Sequence, residues 1–561
     1  MALLHRKPAV LRAKPGRRLD DGAVSASYRR ASGTDRTPGT TGPEKKKADR
    51  PRAAKGAAGE AAGPEKKKTD RPRAAKGAAV EAAGPEKKKT DRTGAGKPGA
   101  GKPGAGKPGG GKAGREKRPA VPARESGRER RRREKQDAVF RDRKRAVSRG
   151  IDMSTRLIAL LTVLFEAGGL LLAAAHTQGA ADDRALVILA VIAPLALLTA
   201  LVLPRFLPID PLIMALTNFL CGVGLVILYT VSPERGLRQT VFYVAGLAAM
   251  LVASLLVSRL RRFRGLTALA MAAGVVLLAL PLLFGEWQSG AKNWVTLPVV
   301  GSFQPSELVK LSLVLALAYY FSAHRTVFQM LPAILFAGAC LLLLMLQRDL
   351  GTALIYYLTT LVMFYAACGN VPLTMVGLAG GAGAAMLGYQ MFAHVKVRVA
   401  MWRNPWSDPL DKGYQIIQAL LAIGSGGLFG VGLGNGTPEK IPAYYNDFIF
   451  AVVCEQLGLI FGLLLLAVYA LLILRGVSVI SRSRRSMDML LGCGVLAMLG
   501  IQTFMIVAGV IKMIPLTGVT MPFLSYGGSS LLSCMMMIGV VHGICARAQE
   551  ELEEDVLSAR G

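Results

Sequence analysis

Histidine is scarce, with 5 in 561 residues, and the 7 cysteines form no C-x-x-C pair. Neither residue type shows metal-ligand spacing. Cys221, Cys340, Cys368, Cys454, Cys493, Cys534 and Cys545 all fall in or beside apolar runs, where they read as small core residues and not as disulfide partners or zinc ligands. Aromatics reach only 7%. Acidic residues are sparse in residues 1–150, where 44 Lys+Arg stand against 17 Asp+Glu and hold +27 of the chain's +32 net charge. Large apolar side chains are nearly missing there too, so that segment cannot offset the entropy of ordering itself. The remainder is dominated by apolar runs of about 20 residues, too apolar for a water-soluble core, and lifts the mean hydropathy to +0.37. A single soluble globular enzyme is thereby excluded.

The basic segment repeats with a period of 21: GPEKKKADRPRAAKGAAGEAA over 42–62, GPEKKKTDRPRAAKGAAVEAA over 63–83, and a third unit from Gly84 that decays into Gly-Lys-Pro triplets. The units lack the apolar set a solenoid would bury, which predicts a disordered, low-complexity cytoplasmic tail. Its last part, Arg124–Arg149, is dense in Arg and suits an anionic inner leaflet, at about 1 kcal/mol per basic residue near the surface. Cytoplasmic proteins are the other candidate partners of the tail. Nucleic acid is the weaker candidate, because no interleaved aromatics or RNA-binding motif accompany the charge. Residues 1–30 hold no apolar core of the kind a signal peptide needs, so the tail is expected to be retained.

Apolar runs at 155–175, 185–203, 211–231, 238–258, 266–284, 305–322, 330–346, 352–368, 373–393, 448–474, 487–510 and 528–546 predict twelve membrane helices. Basic clusters close to span ends (the tail; Arg259, Arg261, Arg262 and Arg264; Arg475, Arg482, Arg484 and Arg485) then share one face. The positive-inside rule makes that face cytoplasmic, with both termini on it. Two long loops, 285–304 and about 394–447, fall on the outer face. Long loops with little regular structure are usually functional, so the chemistry is expected at the outer leaflet.

Ionisable side chains in membrane segments cost about 2.5–3.5 kcal/mol each and point to function. Glu307 and Lys310, in the helix opened by Pro305, can pair on one face, either as a structural salt bridge or at a polar cavity entrance that contacts an anionic headgroup. Asp349 can cap a helix. Asp447, at the entry to the run FIFAVVCEQLG, is an N-cap or a general base at the membrane boundary. Residues 514–530, IPLTGVTMPFLSYGGSS, hold too many Pro, Gly and hydroxyl residues for a straight lipid-facing helix and predict a re-entrant or broken element lining a polar cavity.

AKNWVTL, FQPSELVKL, QRDLGTALI, NPWSDPLDKGYQIIQALLAIGSGGLFGVGLG, IPAYYNDFIFAVVCEQLG and PLTGVTMPFLSYGGSS occur in one order, and together they resemble the SEDS family of cell-wall proteins, the FtsW/RodA/SpoVE group. The resemblance covers about Asp210 to Arg547. It implies an all-α, polytopic membrane fold: a ten-helix core over 210–547 with the large outer loop, two additional helices over 151–209, the tail 1–150 and a short cytoplasmic end at 548–561. It also implies the activity, polymerisation of lipid II into glycan strands at the outer face of the bacterial cytoplasmic membrane, with a class B penicillin-binding protein as cross-linking partner. The family's essential aspartate falls on Asp447. Trp294, Gln304, Ser306, Glu307, Lys310, Asp349, Arg398 and the segment Ser525, Tyr526, Gly527, Gly528 and Ser529 fall on other characteristic positions at the central cavity or its approaches.

The implied reaction needs one base for an acceptor 4-hydroxyl. Its diphosphate leaving group needs charge stabilisation more than an acid. Lys310, Arg398 or a divalent cation could supply it, and no metal ligand is assigned; in-line displacement implies inversion. The chain departs from the pattern at Arg348 (Pro is usual), Asn446 (Thr is common) and Gln456 (often a second Glu). Thr517 and Thr520 point to different branches, so division and elongation both stay open. A precursor flippase and a non-catalytic scaffold are the competing functions.

Overall fold

A computed structural model describes residues 153–175, 183–260, 263–288, 290–297, 301–323 and 327–558. The basic repeats and the rest of the 1–150 tail lie outside the described residues. Among the described residues twelve helices are long and apolar enough to cross a membrane, close to the limits the apolar runs give. The chain is a multi-pass membrane protein.

The helices are α1 (Met153–Ala175), α2 (Asp183–Leu197) running through a π-turn at Leu198–Val202 into α3 (Leu203–Phe206), α4 (Pro211–Val231), α5 (Pro233–Arg259) and α6 (Arg264–Phe284). After a short sheet come α7 (Pro305–Ala323), α8 (Val327–Leu346), α9 (Leu350–Cys368) and α10 (Val371–Met391). The second long loop carries α11 (Ala393–Arg403) and α12 (Tyr414–Gly426), and α13 (Ile449–Ile480), α14 (Ser486–Val510) and α15 (Gly528–Ser558) complete the bundle. Helix starts follow a polar-then-proline rule: Asp210 accepts from Ile213 N and Ser232 from Arg235 N, each followed by proline at the first helical position. Nearly all of α4 is buried, which makes it the central helix.

The α1 and α2 helices are stitched into this core. Asn218 of α4 donates to Ala196 O (3.2 Å) and Thr199 Oγ1 (2.9 Å) and accepts from Tyr243 (3.0 Å). Phe165 of α1 stacks on Phe461 of α13 at 5.6 Å.

Gly458, at φ +86°, breaks α13, a backbone conformation open to glycine. Across the break the carbonyls of Glu455 and Gln456 accept from Val431 N (2.9 Å) and Gly432 N (3.0 Å). Leu459 N and Ile460 N donate to Gly427 O (3.0 Å) and Leu428 O (3.2 Å). The glycine-rich loop after α12 thus replaces the lost helical bonds, which hydrocarbon could not satisfy.

Loop 285–304 is more regular than expected: β1 (Glu286–Gln288), β2 (Ala291–Leu297) and β3 (Gly301–Phe303) form an antiparallel sheet in sequence order. Val295 and Thr296 favour the strand, Thr296 pairs its hydroxyl with Ser302 at 3.1 Å, and Lys292 N ties the sheet to Gln347 O at 2.9 Å. Between α14 and α15 the chain plunges into the bundle. Leu524 packs against Gly224 in the middle of α4, Tyr469 donates its hydroxyl to the Pro522 carbonyl, and Met521, Phe523 and Leu524 are buried. This is the re-entrant element that its prolines and glycines predict.

Candidate active site

The turn before α13 places Asp447. Asn446 N and Asp447 N both donate to Ala443 O, at 3.0 Å and 3.2 Å. The N-cap of α13 is Phe448, with no side-chain cap, so Asp447 does not cap this helix. Its carboxylate accepts no hydrogen bond among the described residues, and the residue is half-buried. The re-entrant segment braces this turn from behind: Ser525 Oγ donates to Asn446 O (2.6 Å) and Tyr526 N to Tyr445 O (2.9 Å).

Gly518, at φ +71°, lies in front of the carboxylate. A β-carbon there would stand 3.4 Å from Asp447 Oδ2 and 3.7 Å from Arg398 Nη2. Arg398, on α11, donates from Nη1 to Leu516 O (3.2 Å) and Thr517 O (3.0 Å). Burial pushes the Asp447 carboxyl up to about 6; the Arg398 guanidinium opposes the rise and the Asp349 carboxylate adds to it.

Asp349 is fully engaged. Its Oδ1 caps α9 by accepting from Thr352 N (3.1 Å), and its Oδ2 accepts from Asn293 (2.8 Å) and Gln304 (2.9 Å). The cap expected of this residue is therefore present, with two amides added. Trp294 is half-buried in β2, opposite Glu286.

Glu307 and Lys310 lie deeper and face one another. Lys310 Nζ donates to Glu307 Oε2 (2.8 Å) and Gln502 Oε1 (2.8 Å), and Ser533 donates to Glu307 (3.1 Å). Gln502 continues to Thr520 O (2.8 Å), and Thr520 shares a proton with Ser530 at 2.7 Å. Lys310 is 1% exposed, which gives it the geometry of a structural pair and not that of a cavity entrance. Ser306 is also buried, its carbonyl accepting from Tyr356 (2.6 Å). Gly528 opens α15 against the Phe242 ring, and Ser529 is half-buried beside it.

Residues 212–550 match the model of the FtsW/RodA/SpoVE cell cycle protein family. The chain belongs to this family. Similar curated proteins include the peptidoglycan glycosyltransferase RodA of Mycobacterium tuberculosis, 34% identical over 385 residues, which span 63% of this chain and 81% of that protein. The probable peptidoglycan glycosyltransferase FtsW of Geobacter sulfurreducens is 34% identical over 320 residues, 55% of this chain and 85% of that one. A solved chain described under the structural coordination of polymerization and crosslinking by a peptidoglycan synthase complex superposes with a TM-score of 0.51 at 28% identity, covering 60% of this chain and 97% of its own.

The family region contains every site element above, from α4 to α15. Its departures have structural consequences. Gln456 accepts from Thr230 of α4 (2.9 Å) and from Gly434 N (3.4 Å), and Glu455 from Thr437 N (3.0 Å), so both pin the glycine-rich loop. Arg348 adopts φ +61°, which proline cannot reach.

Ionisable groups in spans and family motifs do not point to several residues that support the site. Gln239, 1% exposed, clamps the re-entrant backbone by donating to Ser525 O (3.2 Å) and accepting from Gly527 N (3.3 Å). Gln502 extends the Lys310 network. Arg235 donates to Tyr444 (2.8 Å) and lies 4.0 Å over the Tyr445 ring, whose edge meets Tyr526. Uncharged amides inside apolar helices are the signal that would have found the first two. Among the described residues no group of three or more His, Cys, Asp or Glu gathers as a metal site.

Proposed function

We propose that this chain is an inverting glycosyltransferase that polymerises lipid II at the outer face of the cytoplasmic membrane, with Asp447 as general base. The single observation that carries the role is a carboxylate that caps nothing, is braced from behind by the re-entrant segment, and is raised by burial to about 6. A base with an affinity near neutral binds a proton in the transition state and releases it afterwards.

Asp447 takes the proton from the acceptor 4-hydroxyl as that oxygen attacks the anomeric carbon. The bond from this carbon to the diphosphate oxygen breaks, and the diphosphate leaves with the electron pair. Attack opposite the leaving group inverts the centre, so an α-linked donor gives a β-linked strand. Arg398, beside Gly518, meets the negative charge that accumulates on the departing group. Gln304 and Trp294 shape the approach around Asp349. Glu307 and Lys310 hold α7 to α14 and α15, the Ser306 carbonyl ties α7 to Tyr356 of α9, and Ser525 and Tyr526 position the catalytic turn.

Basic clusters at the ends of α5, α13 and the tail support a cytoplasmic placement of both termini, which puts Asp447 outside. The partner is a class B penicillin-binding protein that cross-links the strand. Polymerisation of lipid II by the purified protein, with and without a candidate transpeptidase, tests the function. Absence of polymer in both conditions rejects it.

A further inference from the structure

The α8–α9 junction carries an arginine where the family usually has proline, and the geometry there points to a ligand. Arg348 N donates to Met345 O (3.0 Å) and Asp349 N to Leu344 O (2.9 Å), the paired bonds of a Schellman cap. Arg348 fills the left-handed position of that cap, φ +61°, where glycine is the unstrained choice. A strained side chain at a site is retained when the side chain has work to do.

The Arg348 guanidinium is exposed and makes no hydrogen bond or ion pair among the described residues. It lies 4.8 Å over the Trp287 ring of β1, a stack that orients its planar donors without using them. Its chain neighbour Asp349 acts on the Asp447 carboxyl. A β-carbon on Gly351, three residues on, would come within 2.6 Å of Thr517 O, the atom that Arg398 holds. Burial, and after it the charges of Arg398 and Arg348, lower the proton affinity of the His394 imidazole on α11. Arg398 and Arg348 thus both lie near enough to His394 to act on it, one anchored and one with open donors.

We infer that Arg348 binds the diphosphate of the lipid-linked donor as a second cationic contact beside Arg398. The inference rests on the proposed glycosyl transfer. Its chemistry, a guanidinium fork on phosphate oxygens, would equally suit a phospholipid headgroup.

The test uses the full chain in nanodiscs with Arg348→Gly and Arg348→Lys. Glycine relieves the left-handed strain and keeps the cap, so folding is preserved while the charge is lost; lysine keeps the charge without the fork. Binding of free polyprenyl diphosphate is measured directly, and the KM for lipid II alongside it. The expected result is that Arg348→Gly weakens diphosphate binding and raises KM about tenfold, as loss of a charge-assisted contact should, with Arg348→Lys in between. Unchanged diphosphate affinity in Arg348→Gly overturns the inference. So does a parent that does not bind the diphosphate, or a variant that loses only phosphatidylglycerol retention. A parent that binds the diphosphate yet makes no polymer rejects the glycosyltransferase reading and leaves the binding comparison decisive for Arg348.

Discussion

Arg398 and Asp447 approach the same face of Gly518, within 3.7 Å and 3.4 Å of the position a β-carbon would take there. Burial lifts the carboxyl, the guanidinium opposes the rise and Asp349 adds to it, for a net value of about 6. Only the ionised form can accept a proton, so kcat/KM falls as pH drops through about 6 and levels off above it. Arg398→Ala removes the cation, raises the carboxyl further and moves this acid limb to higher pH. Asp349→Asn removes a negative charge and moves it lower. A pH–rate profile whose limb shifts in neither variant contradicts the assignment of that limb to Asp447.

Asp447→Asn keeps the volume and removes the basicity. Because the side chain neither caps α13 nor accepts a hydrogen bond, the variant folds with a melting midpoint close to that of the parent. Polymerisation is expected to fall about 10²–10⁴-fold, the usual contribution of a general base. Undiminished glycan synthesis would reject the role.

The apolar runs made the twelve spans legible because hydrocarbon admits so few alternatives to a helix. The re-entrant segment was legible for the same reason, through its prolines and glycines. The break in α13 was not: Gly458 sits in a run that reads as continuous helix, and the groups that replace its helical partners lie in the loop at 427–432, about 24 to 32 residues earlier in the chain. The choice between cap and base at Asp447 could not be made from spacing, since the boundary between turn and helix shifts by a residue and Phe448 takes the cap. Gln239 and Gln502 carry a weaker signal, because an uncharged amide in a span costs less than a charge, although each ties its helix to the re-entrant segment.

Lys310 and Glu307 form a buried pair whose value lies in its completeness. Lys310→Met leaves the Glu307 carboxylate buried with only Ser533, and should destabilise the protein by about 3–5 kcal/mol. Adding Glu307→Gln removes the stranded charge and should recover much of the loss. Thermal unfolding in detergent, read for both single variants and the double, measures this. Equal midpoints for Lys310→Met and the parent would show that the pair is not structural.

Deleting residues 1–150 removes +27 of charge and no residue of the bundle described above. The purified truncation is expected to polymerise lipid II, while its retention on anionic vesicles weakens and becomes less sensitive to salt. Loss of polymerisation by folded, truncated protein would favour the scaffold alternative.

Gln239 holds the re-entrant segment that in turn holds the catalytic turn. Its amide satisfies Ser525 O and Gly527 N at once, and Ser525 Oγ carries the restraint to Asn446 O, one residue before Asp447. Gln239→Leu is nearly isosteric but leaves both backbone groups unpaired, at about 1–3 kcal/mol for each one that stays buried. The midpoint should therefore fall. Because the lost restraint lies on the path to the base and not on the substrate, kcat should drop while KM stays close to that of the parent. A Gln239→Leu protein that unfolds earlier but turns over at the parental rate would make the clamp a matter of stability alone.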